Sequence, residues 1–238
     1  MFFDKFDNKT VIKGTLVAID PIHIGSSADS QLDPTAVDSS VLKDSTGRAV
    51  IPGSSLKGVM RSYFEAVVRG IYGSDAVCDI LDKKGYCTYR ITKSLKDNAN
   101  ISLKEKSEKI YENSCIVCRL FGGRDMAGKL QFKDSFLIDE PIYEFRDGVG
   151  IDRETGAASK GVKYDFEIVP KGARFDFCLI AENLDSEQEK QLEFLIDQLK
   201  SGEIAVGGKT TRGLGRIKLC DEKIERTDAD AIKARLGL

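Results

Sequence analysis

The stretch VIPGSSLKGVMR, residues 50–61, decides how the rest of the chain is read. A proline, a glycine and two serines stand directly before an apolar run. Leu56, Val59, Met60, Tyr63, Phe64, Val67 and Val68 fall at the i, i+3, i+4 spacing, which predicts a helix with one buried face. Ser54 or Ser55 is placed to cap it, and Gly70, after Arg69, to stop it. The opposite face carries Lys57, Gly58, Arg61 and Ser62. A glycine inside a helix costs about 1 kcal/mol relative to alanine, so Gly58 calls for a reason. Close approach of a ligand backbone is one; packing against a neighbouring strand is the other. A helix start also offers free N–H groups and the positive end of the dipole. With Ser54, Ser55 and Lys57 as added donors and Arg61 one turn further on, the segment suits a phosphate. A serine cap beside a solvated lysine fits the same spacing.

Working outward, residues 10–24 are rich in Val, Ile and Thr and predict a strand ending near Pro21. The polar stretch SSADSQLDPTAVDSS follows, then a short strand over 40–43 and a DSTGR turn over 44–48. Residues 74–113 are polar, Lys-rich and flanked by Cys, as expected of an insertion held at its base. Strands are expected over 129–138, 166–169 and 174–181, the last two joined by a turn at 170–172. Between them, 147–163 reads as an exposed glycine-rich hairpin or loop. A second helix starts at Ser186 with a capping box to Glu189, buries Leu192, Leu195, Ile196 and Leu199, and ends at Gly202. VGGKTTRGLGR then leads into a strand over 216–220. This order predicts an α+β fold with a ferredoxin-like (RRM-like) core carrying insertions.

Composition narrows the functions. The apolar fraction of 41% supports a sizeable core, and 36 Lys and Arg against 38 Asp and Glu leave a net charge of -2. A free-standing nucleic-acid binder is usually basic, so any RNA contact here must be local, through backbone amides and polar side chains. The N-terminus MFFDKFDNK is too short in apolar run and too acidic for a signal peptide, and no segment is long enough to span a bilayer. Six Cys without an export signal point to the reducing cytoplasm, where paired thiols suggest metal before disulfide.

The thiols carry the strongest metal signal. Cys115 and Cys118 form C-x-x-C, while Cys78 and Cys87 bracket the start of the same insertion, and four thiolates make a closed tetrahedral zinc site. Buried reduced thiols are the alternative, as expected for Cys178 and Cys220. Gly208-Lys209-Thr210 resembles a P-loop only superficially. Glu203 stands where that motif needs its first glycine, and the segment precedes a strand rather than a helix. A turn that lets a strand pass close, exposing Lys209, Thr211 and Arg212, fits better. His23 is the one histidine, which excludes a His-pair ribonuclease. Asp29, Asp33 and Asp38 share the stretch between the first strand and the helix. One of them beside an RNA backbone could deprotonate a ribose 2′-OH or hold a divalent cation that does so. Composition does not choose among the three.

Taken together, these segments resemble the RAMP superfamily, specifically the repeated backbone subunits of type III CRISPR effector complexes. The matching pieces are IHIG at 22–25, VDSSVLKD at 37–44, IPGSSLKGVMR at 51–61, RLFGG at 119–123 and GGKTTRGLGRI at 207–217. The resemblance implies one RAMP domain over 1–238, with the Cys-rich zinc-binding insertion at 74–118 and a protruding hairpin at 146–165 that wedges between duplex segments and carries Arg153. It singles out Asp38 as the catalytic acid, with Asp44 as the second. It further implies RNA contacts from His23, Ser54, Ser55, Lys57 and Arg61, beside the exposed Lys209 and Arg212. The pattern departs at Ser40, where many relatives have Pro. The expected partners are a guide (CRISPR) RNA, a single-stranded target RNA, further copies or paralogous RAMP subunits, and the large and small subunits of the complex. The expected activity is endoribonucleolytic cleavage of guide-paired target, with Mg2+ or Mn2+ as the cutting-site cation. A non-cleaving structural subunit is the first alternative. A guide-processing ribonuclease is the second, and the single histidine argues against it.

Overall fold

The computed structural model describes residues 5–25, 39–95 and 101–237. In chain order it contains β1 (Asn8–Ala18), β2 (Val50–Ile51), α1 (Gly53–Tyr72), α2 (Cys87–Leu95), α3 (Leu103–Glu112), α4 (Ile116–Phe121), β3 (Leu130–Phe132) and β4 (Ser135–Phe136). There follow β5 (Glu144–Ile151), β6 (Ala158–Ile168), β7 (Arg174–Glu182), α5 (Ser186–Ser201), β8 (Ile204–Ala205), β9 (Arg216–Asp228) and α6 (Ala229–Leu236).

Five strands form one sheet in the order β3-β7-β1-β9-β8, every pairing antiparallel. Burial alternates with the strand period. Phe175, Phe177, Leu179 and Ala181 of β7 are buried, as are Ile12 and Leu16 of β1 and Ile217 and Leu219 of β9. These side chains share one core with Leu56, Met60, Phe64 and Val68 of α1 and with Leu192, Leu195, Ile196 and Leu199 of α5. Burying one such side chain stabilises by about 1.5–3 kcal/mol, so this contiguous set supplies the main drive for folding. The apolar stripes read from sequence on both helices are therefore the ones that meet the sheet.

The helix ends differ from expectation. Gly70 does not stop α1; the helix runs on to Tyr72, and Gly73 at φ 91 ends it, its N–H donating to the Arg69 carbonyl at 2.9 Å. A glycine stops a helix by leaving helical φ, and Gly70 keeps it. At α5 the cap is Asp185, which accepts from the Glu187 and Gln188 N–H groups, and the capping box closes on Gln188 rather than Glu189. Aspartate caps at least as well as serine, so the start shifts by one residue. Gly202 ends α5 in the left-handed region, as expected.

The strand expected over 129–138 is broken into β3 and β4, and 40–43 makes isolated bridges rather than a regular strand. The polar segment 74–113 contains α2 and α3. The hairpin is longer than expected: β5 and β6 pair from Glu144↔Ile168 outward to Ile151↔Ala158. Gly148 makes this close pairing possible, because a Cβ there would meet the Tyr164 ring at 2.2 Å.

Candidate nucleic-acid interface and thiol cluster

Pro52 occupies the N-cap of α1 and makes no side-chain cap bond, so neither serine caps the helix. Gly53 is packed so tightly that a Cβ would meet the Phe132 carbonyl oxygen at 2.3 Å. Its N–H donates to Asp134 Oδ1 at 2.8 Å. A carboxylate from the β3–β4 connection thus already sits at the positive end of the helix. Ser54 is exposed, Ser55 half-buried, and Lys57 donates from Nζ to the Leu130 carbonyl at 3.2 Å. Burial pushes the Lys57 ammonium below its ordinary pKa. Gly58 is exposed with nothing within 4 Å of its absent Cβ, which removes strand packing as its reason.

A second constellation forms where the chain leaves β1. His23 is buried at 4% exposure, with Nδ1 2.7 Å from the Glu167 carbonyl oxygen and Nε2 3.2 Å from Ser39 Oγ. A carbonyl can only accept, so Nδ1 carries the proton and Nε2 accepts from the Ser39 hydroxyl. Burial lowers the His23 pKa and keeps the ring neutral. Its edge meets Phe166, with centroids 5.4 Å apart. Tyr164 stacks on Phe166 at 6.2 Å, and Lys209 Nζ lies 4.3 Å from the Phe166 centroid. Arg212 donates to the Tyr164 hydroxyl at 2.5 Å. The glycines after β8 allow this convergence. Gly207, at φ 81, would bring a Cβ to 2.2 Å from the His23 carbonyl oxygen, and the Gly208 N–H donates to that oxygen at 2.9 Å.

The buried carboxylate of Glu167 fixes the neighbouring segment. It accepts from the Val41 N–H at 2.9 Å and from Lys43 Nζ at 2.6 Å, while its own N–H donates to the Ser39 carbonyl at 3.0 Å. Ser39 to Lys43 is therefore held against the base of β6. From there the Leu42 N–H reaches the Ile24 carbonyl, and the Val50 N–H reaches the Leu42 carbonyl, tying this segment to the approach to α1.

Asp38, with Asp29 and Asp33, lies outside the described residues; its neighbour Ser39 lies inside them. Asp44 is engaged in its own turn. It accepts from Thr46 Oγ1 at 2.7 Å and from the Thr46 and Arg48 N–H groups, and pairs with Arg48 at 3.1 Å. The Thr46 hydroxyl, ahead of the backbone donors, helps hold its carboxyl down at about 2. Arg153 stands apart at the hairpin tip, in a turn capped by Asp152 through the Glu154 and Thr155 N–H groups. Phe166 is eight residues of β6 away, roughly 26 Å of strand.

Cys78, Cys87, Cys115 and Cys118 converge, with all four sulfurs within 4.8 Å of one another. Cys78 and Cys118 are 3.4 Å apart, Cys78 and Cys115 3.9 Å, and the Cys115 N–H donates to Cys87 Sγ at 3.3 Å. Thiolates around a tetrahedral zinc would stand roughly 3.8 Å apart, from a metal–sulfur bond of about 2.3 Å, so the donor set can hold a metal ion. So closely packed, the thiols oppose one another's ionisation. Hydrogen bonding with Cys115 pushes the Cys118 thiol up, and the same bond holds Cys115 down. Cys178 and Cys220 lie apart as free thiols.

Arg61 is mostly buried, not presented to solvent. It pairs with Glu65 at 2.8 Å and donates to the Gly122 carbonyl at 2.7 Å and to Cys118 Sγ at 3.4 Å. The sequence reading missed Tyr164, Phe166 and Glu167. The alternation of aromatics in YDF beside a glycine-rich hairpin is a signal for the first two. Nothing local to Glu167 or Asp134 marks either of them. Among the described residues no helix is long and apolar enough to cross a membrane.

A profile of the RAMP superfamily matches residues 15–218. The chain is similar to a Streptococcus thermophilus protein named CRISPR system Cms endoribonuclease Csm3, at 30% identity over 224 residues, 87% of this chain and 84% of that one. It is similar to proteins of the same name from Methanocaldococcus jannaschii, at 26% identity over 91% of this chain and 80% of the other, and from Methanothermobacter thermautotrophicus, at 25% over 98% and 92%.

Proposed function

The chain belongs to the RAMP superfamily, and from that premise we propose that it is a guide-RNA-binding backbone subunit of a type III CRISPR effector complex that cleaves guide-paired target RNA through Asp38. The observation that carries this reading is the meeting of His23, Ser39, Lys209 and Arg212 around the Tyr164–Phe166 pair, one residue from Asp38. Lys209 over the aromatic rings and Arg212 at the Tyr164 hydroxyl supply cations beside an aromatic pair, a combination that suits a phosphate backbone with a splayed base. Curated relatives over most of the chain carry the name endoribonuclease, which supports cutting. The sheet order β3-β7-β1-β9, with α1 after β1 and α5 after β7, supports a ferredoxin-like core.

In this reading the guide runs past Ser54, Ser55 and Lys57 along the bare surface at Gly58, and past Lys209 and Arg212. Arg153 at the hairpin tip meets the guide–target duplex. Ser39, next in the chain to Asp38, is held by His23 and by the Glu167 backbone. The carboxylate of Asp38 takes the proton from a target 2′-OH as that oxygen attacks the adjacent phosphorus in line; the bond from phosphorus to the 5′-oxygen breaks, leaving a 2′,3′-cyclic phosphate and a 5′-hydroxyl that takes its proton from water. A divalent cation, Mg2+ or Mn2+, would supply charge neutralisation there. Asp44, the second acid, is engaged in its own turn with Thr46 and Arg48. The four thiols hold a structural Zn2+. Further copies or paralogous RAMP subunits and the large and small subunits complete a cytoplasmic complex.

The test is cleavage of guide-matched RNA by the complex assembled with this chain. The expected products are regularly spaced, and a single 2′-deoxynucleotide at one cut removes that cut alone. Uncut RNA would leave a non-cleaving scaffold, and cuts that survive the 2′-deoxy change would reject attack by the 2′-OH. Cleavage of a guide precursor by the isolated chain would favour the processing reading.

A further inference from the structure

The sequence places Arg61 among the RNA contacts, and the structure gives its guanidinium a different set of partners. Its three donor groups go to three acceptors: Glu65 one turn along α1, the Gly122 carbonyl that closes α4, and the sulfur of Cys118. At 12% side-chain exposure it offers little to a ligand in solvent. We propose that Arg61 is the charge-compensating partner of the four-thiolate metal centre, fastening that centre to α1. This inference rests on the reading of the four cysteines as a metal site.

The charges require such a group. Four thiolates around a divalent ion leave a net charge of -2 in a mostly buried pocket, and the Glu65 carboxylate adds another negative charge nearby. Cys78, Cys87 and Cys118 are all buried, so water does little of the compensation. Two further arginines stand at one remove. Arg69 pairs with the far oxygen of Glu65 at 3.4 Å, and Arg124 lies over the Tyr86 ring that packs on the cluster. Arg61 touches a ligand atom itself. An N–H donated to a thiolate draws electron density from the sulfur and fixes its direction, and partners of this kind set metal affinity in other sites. The fork shape of the guanidinium matters as well. A lysine can carry the charge, but it cannot serve a carboxylate, a carbonyl and a sulfur in one plane.

The placement also brings two distant motifs into contact. Gly122, within RLFGG, turns at φ 88, where a Cβ would meet the Gly128 nitrogen at 2.5 Å. That turn presents the Gly122 carbonyl to Arg61, so IPGSSLKGVMR and RLFGG meet at one guanidinium beside the thiols. Loss of the metal would then loosen the outer face of α1 as well as the insertion.

The experiment is Zn2+ competition against a chromophoric chelator, using the full chain, for the wild type, Arg61→Met and Arg61→Lys. The wild type is expected to hold one ion per chain. Arg61→Met should lower the Zn2+ affinity about 10–100-fold, and Arg61→Lys by less. In Co2+-loaded protein, the thiolate-to-cobalt charge-transfer band of Arg61→Lys should move to longer wavelength, because the sulfur loses its N–H donor. That measurement serves even if Arg61→Met does not fold. A wild-type chain that takes up no Zn2+ would end both the metal reading and this one. Equal Zn2+ affinity in all three proteins, or an unmoved cobalt band, would end this one alone.

Discussion

Lys209 lies over the Phe166 ring, and Arg212 donates to the Tyr164 hydroxyl, so both charges stand at the aromatic pair. Lys209→Ala and Arg212→Ala are each expected to weaken guide binding about equally for all guide sequences. Each should also reduce the salt slope of binding by about 1 if one phosphate contact is lost. Affinities measured across a salt series check this; an unchanged slope would remove the residue from the interface. His23 makes a different residue-scale claim. Burial lowers its folded pKa below the ordinary 6.5. As pH falls from 6.5 towards that lower value, the unfolded chain binds a proton that the folded chain refuses, so stability falls across this window. His23→Gln should therefore flatten the decline in Tm between about pH 7 and pH 5.5, as read in melts at constant ionic strength. Parallel curves for wild type and variant would contradict the buried neutral ring.

Elements are positioned by a few glycines whose roles can be separated. Gly207 sits at φ 81 against the His23 carbonyl, so Gly207→Ala adds both a backbone and a steric penalty. A loss of about 1–3 kcal/mol in denaturant unfolding is expected, together with weaker RNA binding as His23 shifts. Gly58 is the opposite case. It is helical, exposed and open, so Gly58→Ala should stabilise the fold by about 0.5–1 kcal/mol while weakening guide binding if the RNA backbone passes there. Higher stability with unchanged affinity would leave Gly58 without an interfacial role. The same scale shows where sequence reading stops. Apolar periodicity gave the buried faces of α1 and α5, because 3.6-residue spacing follows directly from helix geometry. The caps were misread because two adjacent residues could both cap, and because the partner of Gly53 is Asp134, far along the chain.

For the whole molecule, α1, α5 and the strands that flank them were legible, while α2, α3, α4, α6 and the details that build the site were not. His23 and Ser39, between β1 and α1, meet Glu167 of β6 and the aromatic pair under Lys209, and Cys118, between α1 and β3, meets Arg61, through contacts that local pattern cannot express. The thiols were legible because metal ligation restricts residue type so strongly, even across the nine positions from Cys78 to Cys87. Few of the described side chains of segment 74–113 are buried, so a metal held by that cluster is expected to staple it. Chelator treatment should lower Tm and open new protease sites within this segment before any in the five-stranded sheet. Cuts in the sheet first would contradict the metal as its staple.

The central claim is that this chain cuts target RNA with Asp38. The most direct measurement is single-turnover cleavage of guide-matched RNA by complexes assembled with wild-type or Asp38→Ala chain, compared at equal guide occupancy. The expected result is intact assembly and guide binding with loss of the regularly spaced cuts. Cleavage by Asp38→Ala at the wild-type rate and the same positions would contradict it.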